Sequence, residues 1–141
     1  MSAEPLTPPE SFEGTLDATL GFETLEVNED SAKARFAVVQ KVKQPFGLVH
    51  GGAFAAISES LCSGATFAAV HGDGLAAMGM SNLTTFLRPV FHGTVHASAR
   101  RLHRGRTTWV WEVDLTDDQD RLCAVSRVTI AVRPMPDGTP G

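Results

Sequence analysis

Cysteine is scarce in this sequence, cationic charge is not in excess, and no apolar run is free of polar interruption. Only two cysteines occur in 141 residues. Cys62 and Cys123 both lie in apolar surroundings without metal or redox spacing, so they read as free buried thiols suited to a reducing compartment. A formal net charge of -4 argues against nucleic-acid binding through a general basic surface. A local cationic pocket for a phosphorylated ligand stays open, because Arg100, Arg101, Arg104 and Arg106 cluster. The most apolar stretch, Ala53–Val70, is broken by Ser58, Glu59, Ser60 and Ser63, which argues against a membrane span. The first residues lack the basic and apolar regions of a signal peptide, so a cytoplasmic location is expected. Repeats and interdomain linkers are missing, and the length fits one domain with a real core.

What is present divides into a proline-bearing leader over residues 1–10, one domain over 11–134 and a tail over 135–141. Phe22–Val27 and Ala32–Val39 read as strands separated by the turn cluster Asn28-Glu29-Asp30. A helix is expected from Gly51 to His71, stopped by Gly72-Asp73-Gly74. Met78–Leu87, Gly93–His103, Thr107–Thr116 and Leu122–Arg133 then alternate apolar and polar residues, with turn residues between them. Short loops favour antiparallel neighbours. The expected fold class is α+β, a curved antiparallel sheet wrapped around one long central helix.

Glu59 is the anomaly in that helix. Projected at the helical period, Phe54, Ile57, Leu61, Ala65 and Ala68 form a face for the sheet. Glu59, Ser63 and Thr66 project away from it, accompanied by Gly52, Ala55, Ala56 and Val70. No lysine or arginine stands between Gln44 and Phe86, so this second face is too apolar for bulk water. A second subunit is the expected cover, and it would place Glu59 in a partly desolvated cleft.

Gln44, the Gly47-Leu48-Val49-His50-Gly51-Gly52 turn, Glu59, Ser63, Ser81-Asn82, Phe86-Leu87-Arg88-Pro89 and Thr107-Thr108-Trp109 together resemble the hotdog-fold acyl-CoA thioesterases. The resemblance is greatest to the Arthrobacter-type 4-hydroxybenzoyl-CoA thioesterases, relatives of the phenylacetate-pathway (PaaI-like) enzymes. It implies a hotdog fold, a homotetramer built as a dimer of dimers, an acyl-CoA substrate and no cofactor beyond the coenzyme A of that substrate. It also implies roles. The Gly51 N–H and the Gln44 amide would polarise the thioester carbonyl, consistent with the donors and positive dipole end of a helix N-terminus. Glu59 would attack the carbonyl or deprotonate a water, and Ser63, where the relative carries threonine, would position water or the carboxylate. His50 would be structural or touch substrate. Ser81, Asn82 and Thr84 would line the acyl pocket, and Arg88, Arg106 and Thr107 would hold CoA, whose phosphates suit arginine.

Other signals are weaker. His92 and His96 have helical metal spacing but fall on loop and strand without a third ligand, so no metal site is expected. Asp117-Asp118-Gln119-Asp120 reads as a hairpin turn rather than a calcium loop. A hydratase on the same fold would pair a histidine with an acid, and a non-catalytic acyl-CoA sensor would carry a further segment. The acyl group itself is open among hydroxybenzoyl, phenylacetyl, dihydroxynaphthoyl and medium aliphatic chains.

Overall fold

The computed structural model describes residues 11–135. The leader 1–10, and all of the expected tail except Met135, lie outside the described residues.

A short helix α1 (Leu16–Leu20) leads into β1 (Glu23–Val27) and β2 (Ser31–Ala37). A 3-10 turn at Gln40–Val42 precedes the long helix α2 (Gly51–Val70), and a second 3-10 turn at His71–Asp73 follows it. Four strands complete the chain: β3 (Leu75–Phe86), β4 (Thr94–Arg104), β5 (Thr108–Thr116) and β6 (Leu122–Pro134). All pairings are antiparallel, in the order β1-β2-β4-β5-β6-β3. The sheet curls around α2, which is the hotdog architecture.

Local chemistry sets the ends of α2. His50, in extended conformation, accepts a 2.7 Å hydrogen bond at Nδ1 from the Gly52 N–H and so caps the first turn. The 3-10 turn that follows closes on Gly74 at φ 74°, a left-handed position that suits glycine. The core lies between α2 and the sheet, with Trp109, Trp111, Phe36, Ile57, Leu115 and Ile130 as its largest fully buried side chains. By length and mean hydropathy α2 with its trailing turn would pass for a membrane span, but half of that window is buried inside the sheet. Cys62 and Cys123 are both free and buried. Burial pushes both thiols up, away from the reactive thiolate.

The sheet corrects the projected helix faces. Thr66 is fully buried and accepts a 2.9 Å hydrogen bond from the Trp111 indole, and Val70 is buried as well. Ala68, expected against the sheet, is exposed. A single projection assumes that the core lies in one direction along the whole helix. Here the twisted sheet wraps around α2, so the buried stripe drifts around the helix toward its C-terminal end. α1 has no expectation behind it, because five residues are too few for a periodic signal. β3 also starts earlier than expected, at Leu75, and β6 runs through Pro134.

Candidate active site

The segment before α2 is a tight turn. Gln44 N–H donates to Leu48 O at 2.9 Å, Gly47 N–H donates to Gln44 O at 2.9 Å, and Gly47 has φ 93°. The Gln44 side chain folds back so that its Oε1 accepts from the Phe46 N–H. That contact fixes the amide orientation. The Nε2 end is left as the donor, and among the described residues no acceptor meets it.

Gln44, Leu48, Gly51, Phe54, Phe86 and Arg88 line a cavity of about 430 Å³ at the N-terminal end of α2. The Phe86 ring lies over Gly51, so a Cβ there would stand 2.7 Å from Phe86 Cζ. Phe86 in turn packs on Phe54, with ring centroids 6.2 Å apart. One cavity therefore gathers an amide donor, a helix N-terminus, an apolar wall and a guanidinium. Burial of the apolar part and hydrogen bonding of one polar end is what a small-molecule site of this size offers.

Glu59 lies further along α2 on the exposed side, with Ser63 half-buried one turn beyond. The Glu59 carboxyl carbon is 3.4 Å from where a Cβ on Gly79 would be, so the acid rests against β3. The pairing of β3 with β6 shifts register between Gly79 and Ser81, which places a bulge beside the carboxylate. Ser81 is exposed, whereas Asn82 and Thr84 are half-buried and hydrogen-bonded toward the helix.

The cation candidates separate. Arg88 follows β3 at the end of the sheet near the start of β6, its N–H bonded to Cys123 O at 3.0 Å. Arg106 and Thr107 sit in the β4–β5 turn beside the end of β6, where Thr107 O accepts from the Val132 N–H and from Arg133. Within one chain Arg88 and Arg106 therefore stand at opposite ends of β6. Arg100 pairs with Glu112, and Arg101 and Arg104 both lie 4.9 Å over the Trp109 ring and pair with Glu29. The compact arginine cluster of the sequence is thus largely neutralised, while Arg106 remains exposed. Of the histidines, His50 caps α2, His71 stacks on Phe67, and His96 pairs with Asp118 at 2.9 Å. Phe86 and Gly79 were the contributors hardest to find from sequence. Phe86 belongs to the Phe86-Leu87-Arg88-Pro89 motif, which gives it no role of its own, and Gly79 is legible only once β3 is laid beside Glu59.

Residues 46–124 match the sequence family described as the thioesterase superfamily. The proofreading thioesterase EntH of Cronobacter turicensis is 38% identical over 119 residues, covering 84% of this chain and 86% of the relative. The 1,4-dihydroxy-2-naphthoyl-CoA hydrolase of Listeria monocytogenes is 34% identical over 118 residues, covering 84% and 95%. Among solved structures, the Staphylococcus aureus thioesterase SAV0944 superposes with TM-scores of 0.82 and 0.81 at 30% and 29% identity. Those two structures cover 85% and 84% of this chain and 99% and 98% of that one. They carry, respectively, a glutamate and a glutamine replaced by alanine, and the two positions are 15 residues apart. These names do not single out an Arthrobacter-type 4-hydroxybenzoyl-CoA enzyme, so that expectation narrows to the superfamily.

Proposed function

The chain belongs to the thioesterase superfamily, and from that membership we propose that it hydrolyses an acyl-CoA to the free acid and coenzyme A. One observation carries this reading. Gln44 and Glu59 are separated by the same 15 residues as the glutamine and glutamate replaced in the two SAV0944 variants. Gln44 also stands beside the N-terminus of the helix that bears Glu59.

In this reading the thioester carbonyl enters the cavity and accepts from the Gln44 amide and the Gly51 N–H. These donors, aided by the helix dipole, stabilise the oxyanion as it develops. Glu59 either attacks the carbonyl carbon, expelling the CoA thiolate and leaving a mixed anhydride for water to open, or takes a proton from the attacking water. The Ser63 hydroxyl positions the water or the carboxylate. Arg88, which lines the same cavity, would hold a CoA phosphate, and Arg106 with Thr107 would serve a site at the other end of the sheet. An aromatic acyl group, 4-hydroxybenzoyl among them, fits the walls of Phe54 and Phe86. The dihydroxynaphthoyl-CoA activity of the Listeria relative favours the same class.

The site is completed by a second copy. Gly51 and Glu59 are eight residues apart, a rise of about 12 Å along α2, and the lean of side chains toward the N-terminus recovers only part of it. One carbonyl must sit within about 3 Å of both groups. A partner helix running the other way brings the partner's acid to this chain's Gly51, and a dimer of such dimers is the expected assembly.

The test is Glu59→Gln assayed with benzoyl-CoA, phenylacetyl-CoA, 4-hydroxybenzoyl-CoA and octanoyl-CoA. Wild type should turn over the aromatic esters fastest. The variant should keep its fold and lose at least about a thousandfold in kcat. Near-wild-type hydrolysis by Glu59→Gln ends this mechanism.

A further inference from the structure

A chain of side-chain hydrogen bonds runs from β6 across the edge strand β3 to the turn of α2 beneath Glu59. Thr84 and Ser126 are register partners on β3 and β6, and their hydroxyl oxygens are 2.7 Å apart. The Thr84 hydroxyl donates to Asn82 Oδ1 at 2.7 Å, and Asn82 Nδ2 donates to the backbone carbonyl of Ala55 at 2.9 Å. A hydroxyl has one proton. Since Thr84 gives its proton to Asn82, Ser126 must donate to Thr84. Every donor therefore points the same way, Ser126 to Thr84 to Asn82 to Ala55 O. The amide of Asn82 has only one orientation that satisfies both neighbours.

The acceptor at the end of this chain has a particular place. In an α-helix the carbonyl of residue i accepts the N–H of residue i+4, so the carbonyl of Ala55 also receives the backbone N–H of Glu59. Asn82 thus grips the peptide on which Glu59 hangs. On the other side of that acid lies Gly79, just before the bulge in β3. The helix turn is held at one point by Asn82, and the carboxylate rests three residues back along the same strand.

We infer that Asn82 is a positioning residue for Glu59, held in its working orientation by Thr84 and Ser126, rather than a wall of the acyl pocket. Its Oδ1 and one of its two Nδ2 protons are taken by Thr84 and the Ala55 carbonyl, so the sheet and the helix backbone set its orientation. The chain matters because Glu59 sits on an otherwise exposed flank of α2 against an edge strand. Among the described residues, the Asn82 bond is the only side-chain hydrogen bond from the sheet to the N-terminal half of α2, so its loss frees the turn that carries Glu59. A displacement of about 1 Å at a reacting group is enough to cost about a hundredfold in rate. A linked series in which every member is satisfied also gives a single arrangement rather than several.

This inference rests on the assignment of Glu59 as the reacting carboxylate, and the test separates the two. The substrate is whichever of benzoyl-CoA, phenylacetyl-CoA, 4-hydroxybenzoyl-CoA and octanoyl-CoA the wild type hydrolyses fastest. Asn82→Ala is expected to lower kcat by about ten- to a hundredfold while KM stays within about twofold. In the Glu59→Gln background the same substitution should change the residual rate by less than about twofold, because it acts through the missing acid. Thr84→Val removes the hydroxyl at nearly constant shape and should lower kcat in the same sense, and Thr84→Ser should recover most of that loss. The Thr84 pair keeps the test decisive if Asn82→Ala folds poorly. A raised KM with unchanged kcat for Asn82→Ala would place the amide on the substrate and overturn the inference. A lowered melting temperature with unchanged kcat in the folded range would reduce the chain to a structural pin and overturn it equally. Full activity of Glu59→Gln would instead remove the premise, and is read from that variant alone.

Discussion

Gly51 meets two demands at one position. As the first residue of α2 it presents an N–H that no turn of the helix consumes. It also lies under the ring of Phe86, so closely that an added methyl would meet Phe86 Cζ at 2.7 Å. The two demands predict different penalties. Phe86 is exposed, and its Cζ is the far end of a side chain that can swing outward, so Gly51→Ala should cost little stability. The methyl nevertheless occupies the approach to the N–H, and a carbonyl oxygen held a few tenths of an ångström away loses much of its hydrogen bond. Gly51→Ala is expected to lower kcat/KM by at least about tenfold with its urea midpoint nearly unchanged. Adding Phe86→Ala should not restore the rate. If the double variant regains wild-type turnover, Gly51 serves only to make room for the ring.

At the scale of the element, two side-chain hydrogen bonds of different kinds tie α2 to the sheet among the described residues. Toward its N-terminal half the bond is Asn82 to Ala55 O, at the exposed flank. Toward its C-terminal half Trp111 Nε1 donates to Thr66 Oγ1 at 2.9 Å, and Thr66 passes its own proton to Cys62 O at 2.8 Å. Both partners of the second bond are fully buried, so breaking it leaves an indole N–H with nothing to meet. Thr66→Val keeps the shape and should destabilise the protein by about 1–3 kcal/mol in urea unfolding, with Thr66→Ser recovering most of the loss. Equal stability of wild type and Thr66→Val would show that the bond contributes nothing net. This is also where sequence reading stopped. The helix, the strands and the turn clusters were legible because apolar spacing and glycine punctuation are local signals. Gln44 and Glu59 were legible because a motif carries them. Thr66 was assigned to the wrong face because the drift of the buried stripe depends on the twist of a sheet whose strands lie elsewhere in the chain. The pairing of Thr84 with Ser126 depends on the register of β3 on β6, which no single segment encodes.

At the scale of the whole molecule, the two edges of the sheet differ in a way that assigns them different fates. β1 has five residues, all exposed, with Glu23 and Glu26 on it and a register shift between them, and such an edge resists further pairing. β3 has twelve residues, no charge, and exposed Met78, Met80, Leu83 and Phe86, with Leu83 72% exposed. A long uncharged edge with those side chains is left open only where something covers it. A second copy, related by a two-fold axis at β3, would cover that edge and the flank of α2 that carries Glu59. It would also set the two helices antiparallel, as the proposed pairing of Gly51 with the partner's acid requires. The consequence is measurable by complementation. In the proposed shared site Glu59→Gln and Gln44→Ala would damage opposite halves, so a mixed dimer would hold one site with both defects and one with neither. With random exchange about half of the dimers are mixed, and activity should recover to about a quarter of wild type from two nearly inactive parents. Native mass spectrometry of the mixture verifies that exchange has occurred. If exchange is complete and activity stays at the level of the parents, Gln44 and Glu59 of the same chain serve the same site, and the span along α2 must be closed within one subunit.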